Sequence, residues 1–179
     1  VFKFIHTILL IGTSTIIVHI CILLFIPHYT RNNIWTRLEK IGPPYQFADL
    51  NSDNPIRQSM DPLFLLKVCK FNLDNGPVHL TTPQTTQFWS LSAYTNDGII
   101  FYNLNDKTAP NAKLNLIIGS PLQITKLKQS KIEHTLHSVL VSQKLNEGFA
   151  ILRVFTPSLL EKKESESFLA KATCRIFNE

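Results

Sequence analysis

The chain has 179 residues, 44% of them apolar and 17% charged, and its 18 Lys and Arg outnumber 13 Asp and Glu to give a formal net charge of +5. This is too apolar for a disordered chain and too charged for a protein that crosses a membrane many times. The average hides a split: Phe4 to Ile26 holds 16 apolar residues in 23 and no Asp, Glu, Lys or Arg, whereas the residues beyond 27 are about 40% apolar, as in an ordinary soluble domain.

In chain order, the first element is a helix whose 23 residues would span about 34 Å, slightly more than the hydrocarbon core of a bilayer, so one tilted crossing is expected. Gly12-Thr13-Ser14-Thr15 weakens its centre, with hydroxyls able to bond back to helix carbonyls. His19 reads as a neutral imidazole near the interface and Cys21 as an apolar filler. The segment ends in Phe25-Ile26-Pro27-His28-Tyr29, without the small-residue pattern of a cleavage site. The expectation is an uncleaved signal anchor over residues 1–27 that meets the lipid bilayer through residues 4–26.

Residues 28–62 read as a juxtamembrane helix and a linker. Tyr29 and Trp35 suit the headgroup zone, and Ile34, Leu38 and Ile41 predict one short amphipathic helix stopped by Gly42-Pro43-Pro44, lying on the membrane or against the domain. Residues 45–62 are polar and proline-bearing, without clean periodicity.

Residues 63–179 form the domain. Short apolar runs alternate with turn residues about every ten positions, the pattern of a mainly β, antiparallel domain. Leu63 to Phe71 fits either a strand or a two-turn helix, and Val78-His79-Leu80-Thr81 fits a strand with His79 on its outer face. The clearest unit is a hairpin: Phe88 to Tyr94, the turn Thr95-Asn96-Asp97-Gly98, then Ile99 to Leu104. Leu114 to Ile118 is a strand, Leu122 to His137 a loop with a helical turn, and Val139 to Val141 and Gly148 to Phe155 are the last strands. Leu159 to Arg175 predicts an amphipathic C-terminal helix.

Two signals disagree on which side of the membrane the domain lies. Lys3 on one flank against Arg31, Arg37 and Lys40 on the other favours the cytoplasm. Cys69 and Cys174 have no metal-ligand spacing. They form either a disulfide, worth up to about 4–5 kcal/mol and requiring an oxidising space such as the periplasm, or two unpaired thiols with Cys69 buried in a strand.

Signals for chemistry are sparse. Tyr102, Asn105, Asp106 and Arg153 are the candidates for a polar ligand, but Asn103-Leu104-Asn105-Asp106-Lys107 also suits a hydrogen-bonded turn. Arg153 either meets Asp106 or Glu147 inside the domain or points outward with Leu152 and Val154 inward, which is the cheaper arrangement. His134 and His137, with Glu133, share a helical face but lack a third metal ligand at a recognised spacing, so no metal is expected. There is no P-loop, G-x-G-x-x-G, G-x-S-x-G, H-E-x-x-H or basic-aromatic nucleic-acid motif, so neither a cofactor nor a nucleic-acid partner is expected.

Taken as an ordered set, the anchor, Gly42-Pro43-Pro44, Asp61-Pro62, Val68-Cys69-Lys70-Phe71-Asn72-Leu73, Gly76-Pro77-Val78, Phe88-Trp89-Ser90-Leu91-Ser92, Phe101-Tyr102-Asn103-Leu104-Asn105-Asp106, Glu147-Gly148-Phe149, Leu152-Arg153 and Cys174 resemble the small membrane-anchored bacterial proteins of the domain of unknown function 1254, of alphaproteobacterial type. The resemblance implies a jelly-roll-like antiparallel sandwich on a single inner-membrane anchor, facing the periplasm, often encoded beside a sister membrane protein of the related family 1214. It matches Cys69 and Cys174 to family cysteines, which strengthens the disulfide reading, and it implies no catalytic residue. The function expected is a non-enzymatic interaction module of the cell envelope, and the alternative is an enzyme or small-ligand binder that uses a jelly-roll cavity.

Overall fold

In the computed structural model, which describes residues 2–39, 41–50, 55–58, 60–130 and 137–177, a single helix α1 (Phe2–Glu39) forms the N-terminal region. Its first 25 residues, Phe2–Ile26, are long and apolar enough to cross a membrane, and all are exposed. The Thr7, Thr13 and Thr15 hydroxyls donate to the carbonyls of Lys3, Leu9 and Ile11 at 2.9, 3.0 and 2.9 Å, which satisfies them within an apolar surrounding. The separate short helix expected around Leu38 is corrected: α1 runs unbroken through Pro27 to Glu39. Pro27 forfeits one helical hydrogen bond, but its fixed φ is compatible with a helix, and no glycine lies between Gly12 and Gly42 to release the chain earlier.

The end of α1 packs on the domain. Leu38 is 1% exposed and clusters with Leu50, Leu66, Val68, Phe149 and Ile151, with Ile41 and Met60 against them. The stretch after Gly42 adds a short strand, β1 (Ala48–Asp49), and one turn of helix, α2 (Pro55–Gln58). Gly42 sits so close to Ala48 that a side chain in its place would meet that methyl at 2.9 Å.

Two sheets follow. The first has the order β1-β2-β8-β4-β5 and is antiparallel throughout, with β2 (Phe64–Asn72), β4 (Trp89–Thr95), β5 (Ile100–Asn105) and β8 (Glu147–Phe155). Leu63 to Phe71 is therefore a strand. Its two faces both meet apolar cover, so it reads as a nearly continuous apolar run without a helical stripe. The β4–β5 hairpin turns where Gly98, at φ 82°, donates its N–H to the Thr95 carbonyl at 2.9 Å.

The second sheet has the order β7-β6-β3-β9, with β3 (Val78–Thr81), β6 (Asn115–Gly119), β7 (Val139–Ser142) and β9 (Thr173–Ile176). Three sequence expectations are corrected here. The β6–β7 pair is parallel, so the domain is not wholly antiparallel. A parallel pair needs a crossover, and α3 (Pro121–Ser130) supplies it as a ten-residue helix in place of the expected loop with one helical turn. Ser120 and Gln123 cap it reciprocally: the Gln123 Oε1 accepts from the Ser120 N–H at 2.8 Å and the Ser120 Oγ from the Gln123 N–H at 3.4 Å. The C-terminal helix α4 (Leu159–Lys171) stops short of Arg175, and Thr173–Ile176 instead pairs with β3, Cys174 lying opposite Leu80.

The inner faces of the two sheets share one apolar core. Cys69, Phe71, Leu91, Ala93, Leu104, Ala150, Leu152 and Val154 from the first sheet meet Val78, Leu80, Leu116 and Ile118 from the second, and α4 adds Phe168 and Leu169. Trp89 is 1% exposed and still satisfies its indole, which donates to the Ala112 carbonyl at 3.1 Å. A disulfide joins Cys69 of β2 to Cys174 of β9, with Cα atoms 6.5 Å apart across 105 positions of sequence. It therefore ties one sheet to the other.

Candidate functional site

A concavity lies on the outer face of the second sheet. Alternation along β3 sends Val78 and Leu80 into the core and leaves His79 and Thr81 outside, and alternation along β9 does the same for Thr173 and Arg175. Register places Thr173, Thr81 and Asn115 in one row across three strands, with Arg175 opposite His79 in the next. With Lys113, Lys171, His137 and Phe177 these residues line a groove of about 770 Å³.

A hydrogen-bonded network fixes the polar floor. Asn115 Nδ2 donates to the His137 carbonyl at 3.3 Å, which leaves Oδ1 as the acceptor for Ser138 Oγ at 2.9 Å and for His79 Nε2 at 2.8 Å. With the Asn115 amide in this orientation, His79 Nε2 is the donor to Oδ1. Its ring stands edge-on to Phe177 with centroids 5.5 Å apart, and the Thr81 and Thr173 hydroxyls lie 2.7 Å apart.

The charges of the groove are one-sided. Lys113, Lys171 and Arg175 line it with two histidines, and no Asp or Glu is among the described lining residues. None of the three cations has a carboxylate partner among the described residues. Such a concavity holds a positive potential and suits a negatively charged group. The described lining residues include no carboxylate or thiol.

The residues singled out in the sequence lie elsewhere. Tyr102 is half-buried on the inner face of β5, packed against the core. Asn105 ends the same strand on the opposite face, where its Oδ1 accepts from the Lys107 N–H at 3.0 Å, the Thr108 N–H at 2.9 Å and the Thr108 hydroxyl at 2.9 Å, closing a local turn. Asp106 follows, its N–H donating to the Trp89 carbonyl at 3.2 Å.

Arg153 faces outward while Leu152 and Val154 point into the core, and its Nη2 donates to Ser92 Oγ at 2.8 Å. Neither Asp106 nor Glu147 pairs with it. Glu147 sits at the other end of β8, six residues or about 20 Å along the strand. Register does put Arg153, Ser90 and Asn105 in one row, whereas Tyr102 is on the far side of the sheet. Glu133 and His134 fall outside the described residues. His79 and His137 are both at the groove, on β3 and just before β7. Lys113, Lys171 and Arg175 carry no sequence signal for a site, since the strand that turns Arg175 outward forms only by pairing with β3.

No protein-family model and no curated protein matches the sequence. Its fold is similar to the crystal structure of the VPA0106 protein from Vibrio parahaemolyticus, with a TM-score of 0.62 at 11% identity over 84% of this chain. The chain spans 35% of that protein. A second structure, an uncharacterised protein from Burkholderia cenocepacia, aligns at a TM-score of 0.44 and 11% identity, over 73% of this chain and 33% of that one. The first likeness shows a shared fold. The apolar helix followed by a β domain fits a single-pass membrane protein.

Proposed function

We propose that the chain is a single-pass inner-membrane protein of the 1254 family whose β domain stands in the periplasm as a non-enzymatic interaction module of the cell envelope. The observation that carries this reading is the bond between Cys69 and Cys174, which links the two sheets and is compatible with an oxidising compartment. The apolar residues packed between the sheets support an interaction role over catalysis in a jelly-roll-like cavity, and the burial of Leu38 supports an anchor that stays attached to the domain. A sister protein of the 1214 family is the partner this reading names. The enzyme or ligand-binder alternative rests on a different feature, the outer groove.

The test uses native membranes. Protease added to spheroplasts is expected to digest the domain while protease added to inverted vesicles leaves it whole, and affinity purification from mild detergent is expected to bring down the sister protein. A domain protected in spheroplasts and cut in inverted vesicles contradicts the periplasmic placement, and purification of the chain alone contradicts the module.

A further inference from the structure

We propose that the groove on the outer face of the β7-β6-β3-β9 sheet is a binding site for an oxyanion carried on an apolar body. Three features together point to this ligand class. The first is uncompensated charge: Lys113, Lys171 and Arg175 surround the groove, and no carboxylate among the described residues pairs with them. An anion seated between them relieves their mutual repulsion, and a guanidinium such as that of Arg175 presents a fork matched to phosphate or carboxylate oxygens.

The second feature is a polar floor already held in place. The Thr81 and Thr173 hydroxyls sit side by side at 2.7 Å, and His79 is held in position by Asn115, which is held in turn by Ser138 and by the backbone at His137. An arrangement fixed before binding loses little freedom when the ligand arrives. The third feature is the apolar lining. Ile176, Phe177 and the prolines 83 and 110 share the groove with these polar groups, and its volume of about 770 Å³ is in the range of small-molecule sites. A bare ion would leave that lining unused.

A phosphate or carboxylate on an acyl or ring body satisfies all three features. It comes either from a lipid headgroup of the bilayer that holds the chain or from a soluble metabolite. The proposal does not depend on which side of the membrane the domain occupies.

The experiment takes the full chain in phosphatidylcholine nanodiscs and titrates dihexanoyl phosphatidic acid below its micellar concentration, following binding by calorimetry. Saturable one-to-one binding is expected. It should weaken at least tenfold in the Lys113→Gln/Arg175→Gln double variant and stay unchanged in Lys128→Gln, an exposed lysine on α3 away from the groove. Inorganic phosphate is expected to bind at least tenfold more weakly than the phosphatidate, and equal affinity overturns the apolar half of the proposal. Absence of saturable binding, or equal affinity in the wild-type chain and a folded double variant, overturns the site. Nanodiscs that include phosphatidylglycerol separate the two sources: competition assigns the oxyanion to the bilayer and undiminished binding assigns it to a soluble molecule, both in support of the shared chemistry.

Discussion

The outer faces of the two sheets are built from the same kind of alternating strand, yet one presents Leu66, Val68, Phe149 and Ile151 and the other His79, Thr81, Thr173 and Arg175. The first face is apolar because something covers it: the end of α1 lays Leu38 there, with Leu50 and Met60 beside it. The second face has α3 over one part, where Ile117, Ile124 and Leu127 are buried, and is polar and basic at the groove. Strand alternation alone does not tell these faces apart. Their cover does, and in this chain the cover joins α1 to one sheet and leaves part of the other exposed.

The disulfide holds the faces back to back, so its removal gives the largest effect. Cys174→Ala is expected to destabilise the domain by about 4 kcal/mol, mostly through a less constrained unfolded chain, measured by guanidinium unfolding of the detergent-solubilised protein. A change below 1 kcal/mol would mean that the sheets are held without the bond. Leu38→Ala comes next, at about 3 kcal/mol for a leucine that is 1% exposed, and it should also open the α1 junction to limited proteolysis. If Leu38→Ala leaves both stability and cleavage unchanged, the covered face is covered by something else.

Gly148→Ala is expected to cost about 1–3 kcal/mol. A Cβ at this position would lie 2.7 Å from the Tyr94 carbonyl oxygen and 2.9 Å from Phe71 Cζ, so the β8 strand and the core ring must separate. Thermal unfolding reads this as a lower Tm. The smallest effect sharpens the contrast: Lys113→Gln and Arg175→Gln, both exposed, should change stability by no more than about 0.5 kcal/mol. A large loss at either position would turn the groove residues into structural ones.

Much of the β domain is legible in its sequence because strand alternation is a local signal. The Phe88–Leu104 hairpin is readable from Asn96-Asp97-Gly98 between two apolar runs, and His79 on an outer face from the phase of Val78 and Leu80. The helix α3 was readable too, since Ser120-Pro121-Leu122-Gln123 has both the capping pair and a proline at the first helical position; the lysines that follow it obscured the pattern. The strand β9 was not readable, because four residues following a Glu- and Lys-rich helix become a strand only through pairing with β3, more than ninety positions away. The groove shares that fate. Its residues come from the stretches 79–83, 110–115, 137 and 171–177, and only the order β7-β6-β3-β9 brings them together. Tyr102, Asn105 and Asp106 are neighbours in the chain and Arg153 is a charge in an apolar strand, and neither property makes side chains converge.

A count of thiols in native membranes tests the central claim, a bridged domain held in an oxidising space. With all membranes denatured in the presence of a maleimide that adds visible mass, the non-reduced chain is expected to take one label, at Cys21, and the reduced chain three. Three labels without reduction would contradict the bond and the periplasmic reading built on it.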